Sequence, residues 1–370
     1  MEAYEVHLSR TINAVQMKPV DKIPFSYSGP AYVSRRQGVK ISEYLSNPQV
    51  ALKAAMEFCR NHPGIDSIHS PTMNAHMLSI LWLSEVRIPG VDLPDDELWQ
   101  VLERERMTTG DYKEIIENGY FKWMLHYTKD RIGNPIPALV KAELKAGNVV
   151  KHMRKEAGLP VMNGANIGSP VECYSGGRQL MNFFMDALDD PDTVKGAMDK
   201  AQSVLENLLI AQIKKNKPIS AWVGGWRAAP QLISHEMFMD FVWPYIERLI
   251  HVCLAHDVIP CLHFDSCWDR ELETLKSLPS KKCILMLDGS TDMRKAREIL
   301  DDRMCLMGDV PANMLAYSTA DEVYDYCMKL IRDVGSKTGL ILGSGCDCPL
   351  NAKDENVDAM IQASLDYRVG

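Results

Sequence analysis

The chain has 370 residues, of which 46% are hydrophobic, so it can bury a large core. Its 41 basic and 49 acidic residues are mixed along the sequence, and the formal net charge of -8 argues against a nucleic-acid partner. No apolar stretch is long enough to span a membrane, and residues 1–10 lack the apolar region of a signal peptide. We therefore expect a cytoplasmic protein.

Ten cysteines are scattered through the chain without the regular spacing of a disulfide framework. In a long intracellular chain they are expected to be reduced, most of them in the core and a minority in chemical roles. Together with 21 methionines, this composition fits a cell that has little oxygen.

The N-terminal part carries mostly helical signals. A helix is expected from Asn47 through Cys59, with Pro48 at its first position, and residues 65–69 fit a strand. Residues 95–160 look helical and polar, with loops. We expect residues 1–160, roughly, to form a helical elaboration on a larger domain.

Helix and strand signals alternate from Ser234 onward, which favours parallel βα units. Apolar residues recur at intervals of three and four from Ser234 through Cys253, as in an amphipathic helix. Four strands are predicted at 258–263, 283–287, 304–307 and 339–343. The helices between and after them are predicted at 272–278, from a Thr291 cap through Leu300, from a Thr319–Glu322 capping box through Ile331, and from Asn351 onward.

Polar residues cluster at the ends of these strands. His263 is the last residue of its strand, and Asp265, Asp288, Asp309 and Cys346 lie at or just past strand ends. In a barrel of βα units the active site lies where strands end and loops begin, so these positions predict function.

Three of these residues could bind a metal. His263 and Asp265 lie on the same face of an extended segment because side chains alternate along a strand, and Cys346 follows a later strand. An imidazole, a carboxylate and a thiolate can together bind zinc and leave its fourth coordination position open for substrate. Asp288 or Cys348 could complete the shell, and the same spacing also fits a hydrogen-bonded histidine beside core cysteines.

The stretch from Trp222 to Arg227 combines two tryptophans with two glycines. Trp222 and Trp226 could line an apolar substrate pocket, or they could be ordinary packing residues. Asp288 is a further candidate for substrate binding.

Several segments together resemble the uroporphyrinogen decarboxylase superfamily. The resemblance is carried by Asn166–Pro170 and the helix after it, Leu232–Tyr245 running into the strand that ends at His263, Gly308–Pro311 and Ser344–Cys346. It covers most of the chain and implies a (β/α)8 TIM barrel with additional N-terminal helices, as a single domain over residues 1–370.

Two branches of this superfamily differ in chemistry. Decarboxylases carry an N-terminal Met-Arg-Gln-Ala-Gly-Arg segment that grips propionates, and the corresponding region here, Pro24–Ala31, lacks it. The chain is more similar to the corrinoid-dependent methyltransferases, whose zinc is held by His-x-Cys and a later Cys. That resemblance implies His263 and Cys346 as ligands and catalytic residues, with Asp265 in place of the middle Cys.

The resemblance implies a zinc enzyme that moves a methyl group from a small methoxylated donor, possibly aromatic, to the Co(I) corrinoid of a separate protein. A carboxylate in place of a thiolate makes zinc a stronger Lewis acid, which suits O-demethylation. The chain has no Asp-x-His-x-x-Gly segment for its own corrinoid. The alternatives are a methylcobamide:thiol (coenzyme M-type) methyltransferase, a decarboxylase and a metal-free binding module.

Overall fold

The computed structural model describes residues 2–335 and 338–367. Six parallel strands follow one another in sequence order: β3 (Ala165–Gly168), β4 (Ser220–Gly224), β5 (Ile259–Phe264), β6 (Ile284–Leu287), β7 (Cys305–Val310) and β8 (Leu340–Ser344). Two short strands, β1 (Ser26–Tyr27) and β2 (Ser67–Ile68), also pair in parallel. Single parallel bridges join Phe25 to Leu342 on β8 and Ile68 to Val161 in the segment that leads into β3.

These pairings arrange eight parallel strands around a ring, which confirms the predicted (β/α)8 barrel. Helices cover the outside of the ring, and a small antiparallel pair, Glu85–Arg87 with Gln100–Leu102, lies outside it. The α-helices span Glu2–Val15, Pro30–Arg36, Ile41–Ser46, Pro48–Asn61, His76–Leu81, Thr109–Asn118, Tyr120–Arg131, Ile136–Ala146, Val149–His152, Pro170–Arg178, Leu180–Asp189, Pro191–Asn216, His235–Met237, Trp243–Ala255, Met293–Leu300, Ala312–Tyr317, Ala320–Leu330 and Asp354–Asp366. Among the described helices, none is both long and apolar enough to cross a membrane.

Short segments of other helix types add to these elements. The π-helical segments are Met153–Ala157, Phe238–Val242 and Ile331–Gly335, and the 3-10 segments are Pro230–Leu232, Asp269–Glu271 and Thr274–Ser277. The predicted helix 234–253 is therefore a chain of α, π and α segments. Its predicted cap is confirmed, because the Ser234 side chain accepts a hydrogen bond from the Met237 N–H.

Three details of the predicted elements are wrong. The predicted helix over 272–278 is instead one 3-10 segment, Thr274–Ser277, which follows another at Asp269–Glu271. The spacing of three between Leu272, Leu275 and Leu278 matches the three residues per turn of that helix type. Asp292, not Thr291, caps the next helix, because the Thr291 hydroxyl bonds to the backbone of Ser266 and Trp268 instead. The last helix begins at Asp354 rather than near Asn351.

The interior of the barrel has two layers of different character. The lower layer is an apolar cluster closed by Ala14 and Val15 of the first helix; its members on the barrel include Met162, Cys261, Ile284, Met286, Cys305, Met307 and Ile341. Since side chains alternate along a strand, the next inward position on β5 above Cys261 is His263. The upper layer therefore lies at the carboxyl ends of the strands.

Candidate metal site and substrate pocket

His263, Asp265 and Cys346 meet at the carboxyl end of the barrel. His263 Nε2 lies 3.2 Å from Asp265 Oδ1 and 3.6 Å from Cys346 Sγ. His263 is buried, while Asp265 and Cys346 are half-buried and face the mouth. Within the described residues, this is the only group of three such side chains whose ligand atoms come close enough together to hold a metal ion.

The turn after β5 fixes Asp265. Trp268 stacks on Phe264 with ring centroids 3.7 Å apart and donates its indole N–H to the Asp265 carbonyl at 2.9 Å. Ser266 has a φ of 69°, and its N–H donates to Asp288 Oδ2 at 2.8 Å. Packing and hydrogen bonds thus hold the carboxylate that follows the strand end.

A close backbone contact fixes Cys346. A Cβ atom on Gly345 would lie 2.6 Å from the backbone carbonyl of Asp288, so a side chain cannot fit there without a shift. The Gly345 N–H donates to the Val310 carbonyl at 2.9 Å, and the Ser344 hydroxyl donates to the Cys346 carbonyl at 2.6 Å. Cys346 therefore reaches the site from a backbone that is tightly packed on two neighbouring strands.

The electrostatics of this group are unusual for a buried histidine. Burial alone lowers the pKa of His263, but the contacts with Asp265 and Cys346 outweigh it and raise the pKa to about 10. Without a metal, the single proton on His263 Nε2 can make one linear hydrogen bond. Two acceptor atoms, Asp265 Oδ1 and Cys346 Sγ, nevertheless lie next to this nitrogen. A nitrogen this close to both a carboxylate oxygen and a sulfur is arranged so that all three atoms can bind one cation.

The distances fit a zinc ion. In a tetrahedral site with bonds of about 2.0 Å to nitrogen and oxygen and about 2.3 Å to sulfur, nitrogen lies roughly 3.3 Å from an oxygen ligand and roughly 3.5 Å from a sulfur ligand. The observed separations are 3.2 and 3.6 Å. One feature departs from common zinc sites, since His263 Nδ1 is buried without a hydrogen-bond partner in the part of the chain described.

Three tryptophans line the mouth beside His263. Trp222, inward on β4, lies 5.5 Å from the His263 ring and 4.3 Å from Trp226, measured between ring centroids. Trp82 lies 5.1 Å from Trp226 on the other side. Gly224 makes room for this packing, because a Cβ there would lie 2.3 Å from the Trp222 ring. The arrangement provides an aromatic wall next to the metal site.

A buried glutamate that the sequence analysis missed supports this wall. Glu172 accepts hydrogen bonds from the N–H groups of Arg227 and Ala228, at 3.0 and 3.2 Å, and from the Trp82 indole at 3.4 Å. Burial raises its pKa to about 7 against the effect of Arg227 and these donors. Its only sequence signal is an acidic residue in the first turn of an otherwise apolar helix, which is also common at the surface.

The other predicted site residues lie elsewhere in the mouth. Asp288 accepts hydrogen bonds from the N–H groups of Ser266 and Ser290, so its visible role is to hold the turn after β5. Cys348 is buried and packs against Gly29, outside the metal group. Asp309 accepts a hydrogen bond from the Tyr326 hydroxyl of an outer helix at 2.8 Å and does not join the cluster.

The family model for uroporphyrinogen decarboxylase matches residues 137–367, so the chain belongs to the uroporphyrinogen decarboxylase family. The sequence is 22% identical over 365 residues to a uroporphyrinogen decarboxylase of Chromohalobacter salexigens, covering 96% of both chains. It is also 22% identical over 369 residues to one of Geobacter sulfurreducens, covering 96% of this chain and 97% of that one.

A solved structure has the same fold. It is a methyltransferase from Methanosarcina mazei, with a TM-score of 0.72 at 16% identity, and the match covers 97% of this chain and 98% of that chain. At this identity the likeness establishes the fold alone. The family and the barrel are thus confirmed, and the activity must be inferred from the site.

Proposed function

We propose that this protein is a zinc-dependent methyltransferase that moves a methyl group from a small methoxylated donor to the Co(I) corrinoid of a partner protein. The observation that carries the proposal is the group of His263, Asp265 and Cys346, with the separations of a zinc set, at the mouth of the barrel. Active sites of this fold lie at that end.

The three proposed metal ligands favour a reaction at an oxygen atom of the substrate. His263, Asp265 and Cys346 would hold the ion, with one position left for substrate. A zinc ion bound there supplies Lewis-acid polarisation of the donor's ether oxygen. Only one of the three protein ligands is a thiolate, which keeps such an ion electron-poor.

The chain's own residues bind and orient the donor. Trp222 and Trp226 present aromatic surface beside His263, which suits a methoxylated ring and excludes water from it. The carbon–oxygen bond of the methoxy group would break with its electron pair left on oxygen, which would then take up a proton. The methyl group would go to the Co(I) corrinoid of the partner protein, which would supply the electron pair of the new bond. The acceptor must approach through the open mouth.

The proposed partner and compartment follow from the same features. Since the sequence has no Asp-x-His-x-x-Gly segment, the corrinoid would be carried by a separate protein. All ten cysteines are free. Free thiols fit a reducing compartment, and we place the reaction in the cytoplasm.

The test is metal analysis of the purified protein and of the His263→Ala and Cys346→Ala variants. We expect about one zinc per chain, lost in both variants. Aryl methyl ethers are then screened with Co(I) cobalamin for formation of methylcobalamin. A protein that neither contains zinc nor takes it up would exclude the zinc mechanism and favour a metal-free binding module or a decarboxylase-like role.

A second candidate is transfer from a methylated corrinoid to a thiol, which the Cys346 ligand would also suit. The two directions can be separated by Asp265→Cys, which gives the site a second sulfur ligand. If the native reaction is at oxygen, this variant should keep its zinc and lose roughly tenfold to hundredfold in ether demethylation. Equal or faster demethylation would contradict the assignment to oxygen.

A decarboxylase is the activity named for the curated relatives, but the site offers it little support. A substrate with many carboxylates needs several cations in the pocket. Arg227 and Arg270 are the fixed cations in the segments that directly follow the eight strands, and each is paired with a glutamate.

A further inference from the structure

The wall of the mouth formed by β1 and β2 is polar. Ser26 and Ser67 face one another across these strands, with their hydroxyl oxygens 2.9 Å apart, whereas Phe25, Tyr27 and Ile68 belong to the apolar cluster outside the ring. Side-chain alternation then makes Ser28 and His69 the next inward residues. They lie in the upper interior layer, as His263 does on β5.

His69 is buried, with 1% of its surface exposed, and its Nε2 has no hydrogen-bond partner within the described residues. The N–H of Asn163, on the neighbouring segment, donates to the His69 carbonyl at 3.2 Å. Asn163 Oδ1 is also buried and lacks a partner there. Two adjacent buried polar atoms without partners cost stability unless a ligand or water satisfies them.

The imidazole of His69 is neutral at physiological pH. Burial, and then the nearby charge of His263, lower its pKa to about 3, against the neighbouring Asn163 side chain, which raises it. A neutral ring offers one donor and one acceptor, and no charge to attract an anion.

The charge of the mouth also disfavours an anionic ligand. In the segments that directly follow the eight strands, the fixed cations are Arg227 and Arg270, against six carboxylates. Arg227 pairs with Glu103, and Arg270 pairs with Glu271 at 2.7 Å. The segments are 28–31, 69–75, 169–171, 225–232, 265–271, 288–292, 311–313 and 345–351.

One of these carboxylates, Asp347, lies beside the site and has no ion pair with an arginine or lysine in the described residues. Asp347 is exposed in the mouth, and its Oδ1 accepts a hydrogen bond from the Ser28 hydroxyl at 2.5 Å. A divalent ion on Asp265 and Cys346 would be balanced by their two negative charges. The charge of Asp347 would then repel a carboxylate on the ligand.

We propose that His69 is a specificity-determining residue that hydrogen-bonds through Nε2 to a hydroxyl group of an uncharged aromatic ligand, and that the mouth rejects carboxylated ligands. A hydroxyl can accept from His69 and donate to Asn163 Oδ1, which satisfies both atoms, while the ring packs near Trp222. The inference rests on the proposed function, because it names the ligand class of the same pocket.

The test is calorimetric binding of three probes to the protein as isolated. The probes are 2-methoxyphenol, methoxybenzene, which has no oxygen at the position of the hydroxyl, and 4-hydroxy-3-methoxybenzoate, which adds a carboxylate. We expect 2-methoxyphenol to bind at least about fivefold more tightly than methoxybenzene, as one hydrogen bond or more gives, and the benzoate to bind most weakly. His69→Phe should reduce the difference between the first two probes, because the hydrogen bond to Nε2 is lost, and His69→Gln should restore part of it.

A merely structural role for His69 would weaken all three probes equally, and this result would overturn the proposal. It is also overturned if the benzoate binds as tightly as 2-methoxyphenol, or if none of the three probes binds. Binding needs neither zinc nor corrinoid transfer as its readout. Loss of the expected binding order in a zinc-containing, methyl-transferring protein would therefore refute the ligand class and leave the proposed function standing.

Discussion

The lower and upper layers of the barrel interior differ in chemistry although they share the same strands. On β5, Cys261 belongs to the apolar lower layer beside Ile284 and Cys305, whereas His263, two residues further, reaches Asp265 and Cys346. Burial raises the pKa of the Cys261 thiol, which makes it inert. The comparison teaches that depth along a strand, rather than residue type, decides whether a polar group serves packing or chemistry.

The strongest test of this contrast replaces one cysteine from each layer by serine. Cys346→Ser should reduce the zinc content from about one ion per chain to nearly none, because a neutral hydroxyl is a poor zinc ligand. Cys261→Ser should keep its zinc but lose about 1 to 3 kcal/mol of unfolding free energy, because a hydroxyl is placed among apolar side chains. Metal analysis and urea unfolding measure the two effects.

The predicted difference between the two layers is contradicted if both variants lose zinc to the same extent. It also fails if Cys261→Ser loses zinc without losing stability, since the lower layer would then take part in the chemistry.

The second prediction concerns how the upper layer is positioned. Gly345→Ala places a methyl group 2.6 Å from the Asp288 backbone and must displace the segment that carries Cys346. We expect zinc affinity to fall about tenfold, as when the support of a ligand is lost. Competition with a zinc chelator measures the change.

The matched control is Gly110→Ala, at a helical position where the added Cβ meets only the Thr108 hydroxyl, at an ordinary 3.6 Å. Its zinc affinity should equal that of the wild type. Unchanged affinity in Gly345→Ala would mean that the Cys346 segment tolerates displacement.

Local sequence patterns predict part of the upper layer. Alternation along a strand places His263 and Asp265 on one face, and their atoms are 3.2 Å apart. No local pattern indicates His69 or Glu172, because each is a single polar residue whose role depends on distant partners. Thr291 shows the same limit, since a tertiary contact with Trp268 takes the hydroxyl that the local pattern assigned to a helix cap.

Asp309 shows that a position at a strand end does not determine where the side chain points. It follows the pattern of polar strand ends, but its carboxylate bonds to Tyr326 outside the ring. Among the strand-end residues predicted to be functional, Asp309 therefore belongs to the packing of strand against helix.

The third prediction uses this residue to compare a buried carboxylate with exposed ones. Burial raises the pKa of Asp309 from 3.8 to about 6, despite the hydrogen bond from Tyr326. A raised pKa contributes stability that is fully present below pH 3.8 and is lost as the pH rises through about 6. Asp309→Asn keeps the acceptor for Tyr326 without a charge. It should therefore gain about 2 to 3 kcal/mol relative to the wild type between pH 4 and pH 7.5.

Urea unfolding of both proteins at the two pH values measures this gain. Asp130→Asn is the control, because that carboxylate is exposed on the helix Tyr120–Arg131 and its replacement should not reproduce the effect. If the stability difference between Asp309→Asn and the wild type were the same at both pH values, the Asp309 carboxylate would not be destabilised by burial. The difference between the buried carboxylate at the end of β7 and an exposed carboxylate would then need another physical explanation.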